Sequence, residues 1–188
     1  MIQDGWKAII VTVTDGRCGS FNLDSQSLAV LRAQEAQQAA SILGAVPPIF
    51  LNHPDMELDR LPAGLLREQF VYLIRQLRPD AIIAEDPFAF QETHPDHRTV
   101  AWAAVEAINA APLPLIYPEH LHAGFQPHLV PEKYFYGSAP AYLNKYIDIT
   151  ATISLKLAAL AAHQSQVTFM VEGLARQAAL AGLDTRAA

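Results

Sequence analysis

Trp6-Lys7-Ala8-Ile9-Ile10-Val11-Thr12-Val13-Thr14 is the stretch whose reading decides the fold. A run so rich in β-branched and apolar residues reads as a strand covered on both faces, the pattern of a parallel sheet clad in helices. Asp15-Gly16 ends it, and a Gly- and polar-rich loop runs on to Ser25. The periodicity then changes. Leu28, Leu31, Ala36, Ala39, Ala40 and Leu43 keep an apolar stripe at spacings of three and four, and Gly44 is the stop. Ile49-Phe50-Leu51 reads as a second strand, residues 62–77 as a second helix closed by Pro79, and residues 80–85 as a third strand. A helix from residue 94 to about 109 follows, then three short strands at 113–117, 133–136 and 146–149. Two helices at about 151–162 and 167–180 complete the reading. Strands alternating with helices predict an α/β fold, a mostly parallel sheet flanked by helices with right-handed crossovers.

The chain has 188 residues, 51% of them apolar, a net charge of −6 and one cysteine. That length buries a full core in one domain, residues 1–188, without staples. A lone Cys18 rules out a disulfide framework. The acidic balance argues against a nucleic-acid partner, which needs a clustered basic face. No uncharged apolar run reaches the roughly 18–20 residues of a membrane span. The N-terminus has neither the basic region nor the small-residue cleavage site of a signal peptide. A cytoplasmic protein is expected, frayed only at its ends, such as residues 185–188.

Ligands of an open parallel sheet bind beyond the carboxyl ends of its strands. The first strand leads into Asp15, Gly16 and Arg17, and the second into Asn52, His53, Pro54 and Asp55. The third leads, through Glu85 to Glu92, into His94, Asp96 and His97. Three strands thus deliver polar clusters to one edge, where an active site is expected. In His94-Pro95-Asp96-His97, Pro95 suits a first helical turn and Asp96 is favoured there by the helix dipole. Two histidines three apart project on adjacent faces, so one can bind a metal while the other points at substrate, with a carboxylate fixing a tautomer. A capped helix start with two solvated histidines has the same spacing, and one His-x-x-His pair does not fill the three protein positions of a catalytic zinc site. Arg32 and Glu35 read as an exposed i,i+3 ion pair worth a few tenths of a kcal/mol. Asp55 reads as facing the ligand cleft, with His53 incidental. Ser165 reads as the N-cap of the last helix. His120, His122 and His128 carry no spacing signal, and Cys18 reads as a passive thiol.

These residues together resemble the PIG-L/LmbE superfamily of zinc-dependent N-deacetylases. The resemblance is collinear along nearly the whole chain. It starts with Val11-Thr12-Val13-Thr14-Asp15-Gly16, Leu31-Arg32-Ala33-Gln34-Glu35-Ala36 running on to Leu43-Gly44, and Leu51-Asn52-His53-Pro54-Asp55. It continues with Arg78-Pro79-Asp80, the signature His94-Pro95-Asp96-His97-Arg98, and residues 146–149 through Lys156 to His163-Gln164-Ser165-Gln166. It implies a Rossmann-like domain that hydrolyses the N-acetyl amide of an N-acetylglucosamine-type sugar conjugate. In such enzymes Zn2+ holds a water and polarises the amide carbonyl. An aspartate takes that water's proton, and a histidine stabilises the oxyanion or protonates the leaving amine. By position, the resemblance implies His97 as a metal ligand and His94 as the catalytic histidine with Asp96 orienting it. It implies Arg32 and Asp55 as the sugar site, with Glu35 and His163 near the pocket.

Members of the superfamily begin with a strand ending in His-Pro-Asp-Asp, which supplies two zinc ligands and the general base. This chain has no such motif, and its first strand matches the family's second. The resemblance therefore implies that a first β-α unit, roughly 25–35 residues, is missing, and two metal ligands with it. His53-Pro54-Asp55-Met56 follows the wrong strand and has Met56 where the second acid would stand. The expectations are weak or absent zinc, little or no activity, and an exposed edge on the first strand that invites self-association into a homo-oligomer. The alternative is a non-catalytic sugar-binding or remnant domain without stoichiometric zinc. A nucleotide-binding α/β protein is disfavoured, because no Gly-x-Gly-x-x-Gly or Walker-type loop follows any strand.

Overall fold

The computed structural model describes residues 2–182, so the tail at 185–188 lies outside the described residues. In chain order the elements are β1 (Val11–Thr14), α1 (Ser25–Leu43), β2 (Ile49–His53), α2 (Leu65–Leu77), β3 (Ala81–Glu85), α3 (Pro95–Ala110), α4 (Pro118–His122), β4 (Glu132–Tyr136), α5 (Ile153–Ala162) and α6 (Gln164–Leu180). The architecture is α/β, with short parallel sheets flanked by helices. No helix among the described residues is long and apolar enough to cross a membrane. The chain divides into two compact units, Met1–Asp55 with Ile147–Ala188, and Met56–Tyr146.

In the first unit β1 and β2 run parallel, Val11 opposite Ile49 and Thr14 opposite His53, with a register shift between Thr12 and Thr14. The expected strand at 6–14 is regular over Val11–Thr14, with the Ala8 and Ile10 carbonyls accepting the Val46 and Ile49 N–H groups ahead of it. Val13 is the strand's one buried residue rather than part of a run covered on both faces. A sheet two strands wide leaves edges unpaired, so its strands stay half-covered. Helix α1 is punctuated as its sequence demands. Asp24 accepts the N–H groups of Gln26 and Ser27 at 3.1 and 2.9 Å, and Gly44 takes the left-handed conformation at φ 74° that ends it. Glu35, in the middle of α1, is 6% exposed. It does not pair with Arg32. Its carboxylate accepts the Ser165 N–H at 2.7 Å and the Ser165 hydroxyl at 2.6 Å, satisfying first-turn donors of α6 from outside the helix.

In the second unit β3 and β4 run parallel in unbroken register, from Ala81 opposite Glu132 to Glu85 opposite Tyr136. Helices α2 and α3 close over Val71, Ile74, Ala107, Ile108, Ala111 and Val130. The expected strand at 113–117 does not form, and the reason is Arg75. Its side chain, 1% exposed, donates to the carbonyls of Ala111 (3.1 Å), Leu113 (2.8 Å), Ile116 (2.8 Å) and Tyr117 (3.0 Å). These bonds gather the carbonyls of 111–117 around one guanidinium, and the Leu113 carbonyl also accepts the Ile116 N–H at 3.2 Å, so the segment turns instead of extending. The expected strand at 146–149 is replaced by a turn in which Asp148 accepts the Thr150 N–H at 2.8 Å and its hydroxyl at 2.6 Å.

Candidate active site

Helix α3 opens on His94, whose extended backbone places it as N-cap, with Pro95 in the first turn where its missing N–H costs nothing. The His94 Nδ1 accepts the Asp96 N–H at 3.3 Å. The proton of the neutral ring therefore sits on Nε2, which is left as a donor. The His97 ring stacks on it, with centroids 4.5 Å apart and planes 25° off parallel. Asp96 is 3% exposed, and its two oxygens accept the Met56 N–H at 2.6 Å and the Leu58 N–H at 3.2 Å. The carboxylate thus fixes the helix start to the 56–58 loop, and what touches His94 is the Asp96 backbone.

Two residues that sequence reasoning passed over stand beside His97. Its Nδ1 lies 2.9 Å from Glu92 and 3.5 Å from Glu85, the last residue of β3. Glu92 also accepts the His94 N–H at 2.7 Å. The hydrogen bond with His97, then that from His94, hold the Glu92 carboxyl below the usual carboxylate range. Glu85, Glu92 and His97 form a candidate metal-binding group, with one oxygen or nitrogen from each within 4.8 Å of the others. Tyr136, opposite Glu85 in the ladder, completes the surroundings. Burial, and then the charges of Glu85 and Glu92, push its phenol up.

A second such group, Glu68, Glu119 and His120, is chemically different. His120 is buried with its Nδ1 3.3 Å from Arg75 Nη1. A guanidinium only donates, so Nδ1 accepts and the ring proton occupies Nε2. That neutral ring has no lone pair left for a metal.

In the first unit Asp15, just past β1, accepts the Arg17 N–H at 3.2 Å, the Arg17 guanidinium, and the Asp55 N–H at 3.3 Å. Burial pushes Asp15 up, but these hydrogen bonds outweigh it and leave the carboxyl below the usual range. Asp55 in turn accepts the Cys18 N–H at 3.1 Å. Arg32 reaches the Gly16 carbonyl at 3.5 Å. Burial lowers its pKa, and the charges of Asp55 and Glu35 oppose that. Arg32 lines a cavity of about 350 Å3 with Asp15, Lys156 and His163. The structure therefore brings Arg32 and Asp55 together in one unit, and His94, Asp96 and His97 together in the other.

Residues 1–108, more than half of the chain, match the family pattern PIG-L, described as GlcNAc-PI de-N-acetylase. The chain belongs to the PIG-L family. The diacetylchitobiose deacetylase of Thermococcus kodakarensis is 31% identical over 169 residues, 88% of this PIG-L chain and 61% of that protein. Among solved structures, N,N'-diacetylchitobiose deacetylase from Pyrococcus horikoshii is similar with a TM-score of 0.80 and 31% identity, over 88% of this chain and 61% of the other. The conserved protein TT1542 from Thermus thermophilus follows with a TM-score of 0.70 and 27% identity, over 89% and 70%. This chain thus spans about three-fifths, 61%, of the length of the curated relative. Glu85, Glu92 and Tyr136 carry no motif in the PIG-L sequence. Only the end-of-strand positions of Glu85 and Tyr136 could have signalled two of them.

Proposed function

We propose that this PIG-L chain hydrolyses the N-acetyl amide of an N-acetylglucosamine-type sugar with Zn2+ as its cofactor. The observation that carries the reading is the stacking of His94, whose Nδ1 accepts the Asp96 N–H, on His97, whose Nδ1 meets Glu92. His97 offers the imidazole nitrogen that zinc takes, with the Glu92 and Glu85 carboxylates beside its other nitrogen, and it is the ligand the reading rests on. Zinc supplies there a polarised carbonyl and a water acidified toward neutral pH. With its neutral ring, His94 donates a hydrogen bond from Nε2 to the developing oxyanion. Asp96 keeps that donor aimed by anchoring the first turn of α3 to the loop amides. Arg32 and Asp55 are assigned to sugar hydroxyls, for which a fixed guanidinium and a carboxylate are matched partners.

The reading includes weak turnover for this polypeptide, since catalytic zinc usually has more imidazole in its set than one ring. A second reading, a sugar-binding domain without stoichiometric zinc, is favoured by one observation. His97 and Glu92 satisfy each other at 2.9 Å with no metal required. Metal analysis of the purified chain, with amine release from N,N'-diacetylchitobiose, separates the two. Measurable release that falls by about 10²–10⁴-fold in His94→Ala supports hydrolysis. No zinc and no release, with the sugar still bound, gives the second reading.

A further inference from the structure

We infer that Glu92 is a positioning residue whose carboxylate sets the tautomer of His97, so that His97 presents Nε2 as its ligand atom. The use made of that lone pair rests on the deacetylase reading; the tautomer itself does not. One Glu92 oxygen, Oε1, accepts the His94 N–H at 2.7 Å, and the other, Oε2, meets His97 Nδ1 at 2.9 Å. A carboxylate only accepts, so the proton of the neutral His97 ring sits on Nδ1 and its lone pair on Nε2. Glu85, 3.5 Å from the same nitrogen, places a second negative charge on that side and favours the same arrangement. His94 is held in the opposite tautomer by the Asp96 N–H. Two rings stacked 4.5 Å apart thus offer different atoms, a donor from His94 and a lone pair from His97. Glu85 and Glu92 then belong behind the ring, fixing it from the Nδ1 side.

Glu92→Gln is the discriminating variant, because it keeps the shape and removes one acceptor. The His94 N–H can only donate, so the single amide oxygen turns to it. The amide NH2 then faces His97 Nδ1, which must give up its proton to Nε2. In the full metal-free chain, NMR of the imidazole nitrogens above their titration range is expected to show His97 protonated on Nδ1. In Glu92→Gln it is expected on Nε2, with His94 unchanged in both. Zn2+ affinity, measured by competition with a chromophoric chelator, is expected to fall about 10–100-fold in the variant. An Nε2–H tautomer of His97 in the unmodified chain overturns the inference without any variant. An unchanged tautomer or unchanged affinity in Glu92→Gln overturns it as well. Failure of the deacetylase reading looks different, since amine release is then absent while the tautomer switch persists.

Discussion

Arg75 uses every N–H it has on main-chain carbonyls and one imidazole, and no carboxylate bonds to it among the described residues. Replacing it with Met removes all five of these bonds, although the Ala111, Leu113 and Tyr117 carbonyls keep the N–H groups of His128, Ile116 and His120. Arg75→Met should therefore cost about 3 kcal/mol or more in urea denaturation, and Arg75→Lys should recover little, because an ammonium lacks the planar fork. A loss under about 1 kcal/mol would mean that the 111–117 segment finds other donors. Glu35 is the counterpart in the first unit. Glu35→Ala removes both bonds to Ser165 and is expected to cost about 1–2 kcal/mol. A double-mutant cycle with Ser165→Ala should return coupling of about 1 kcal/mol, and additive losses would show that the contact contributes nothing.

Gly16 shows how a turn places a side chain. It has φ +66°, and a Cβ there would lie 2.8 Å from the Arg32 guanidinium carbon. Gly16→Ala is therefore expected to lose about 1 kcal/mol or more and to displace Arg32 from the cavity wall. Unchanged stability would count against that account. The helices were readable because their signals are local, as with the apolar stripe and Gly44 of α1 and Pro95 at the start of α3. The same holds for the pairing of His94 with His97, three residues apart. Residues 113–117 have a strand's composition, but their fate is set by a side chain some 40 positions upstream, which no local pattern records. Glu85 meets Tyr136 only through the β3–β4 register, and Glu92 reaches both histidines by a loop conformation that its polar neighbours do not specify.

Depressed carboxylates are unevenly spread over the whole molecule. Asp15, Asp24 and Asp148, all in the first unit, sit below their ordinary value of 3.8, against Glu92 in the second. A carboxylate depressed by folding contributes stability that is complete above its ordinary value and lost as pH falls through the lower folded one. The first unit should therefore weaken more steeply below pH 3.8. Each unit carries its own reporter, Trp6 and Trp102. Urea midpoints of Trp102→Phe and Trp6→Phe across that range are expected to diverge, with the Trp6 signal failing first. Coincident midpoints would show that the two units titrate as one. The bond between Glu35 and Ser165 also sets a timetable. The chain emerges from the ribosome at about 5–20 residues per second, so Ser165 follows Asp55 by roughly 5–20 s. The segment Met56–Tyr146 can fold while it emerges, whereas α1 spends that interval with an ionisable group in the middle of the face it must bury. Helix α1, made before α2 to α6, is thus among the last of them to be finished, and a nascent-chain chaperone would find its work there.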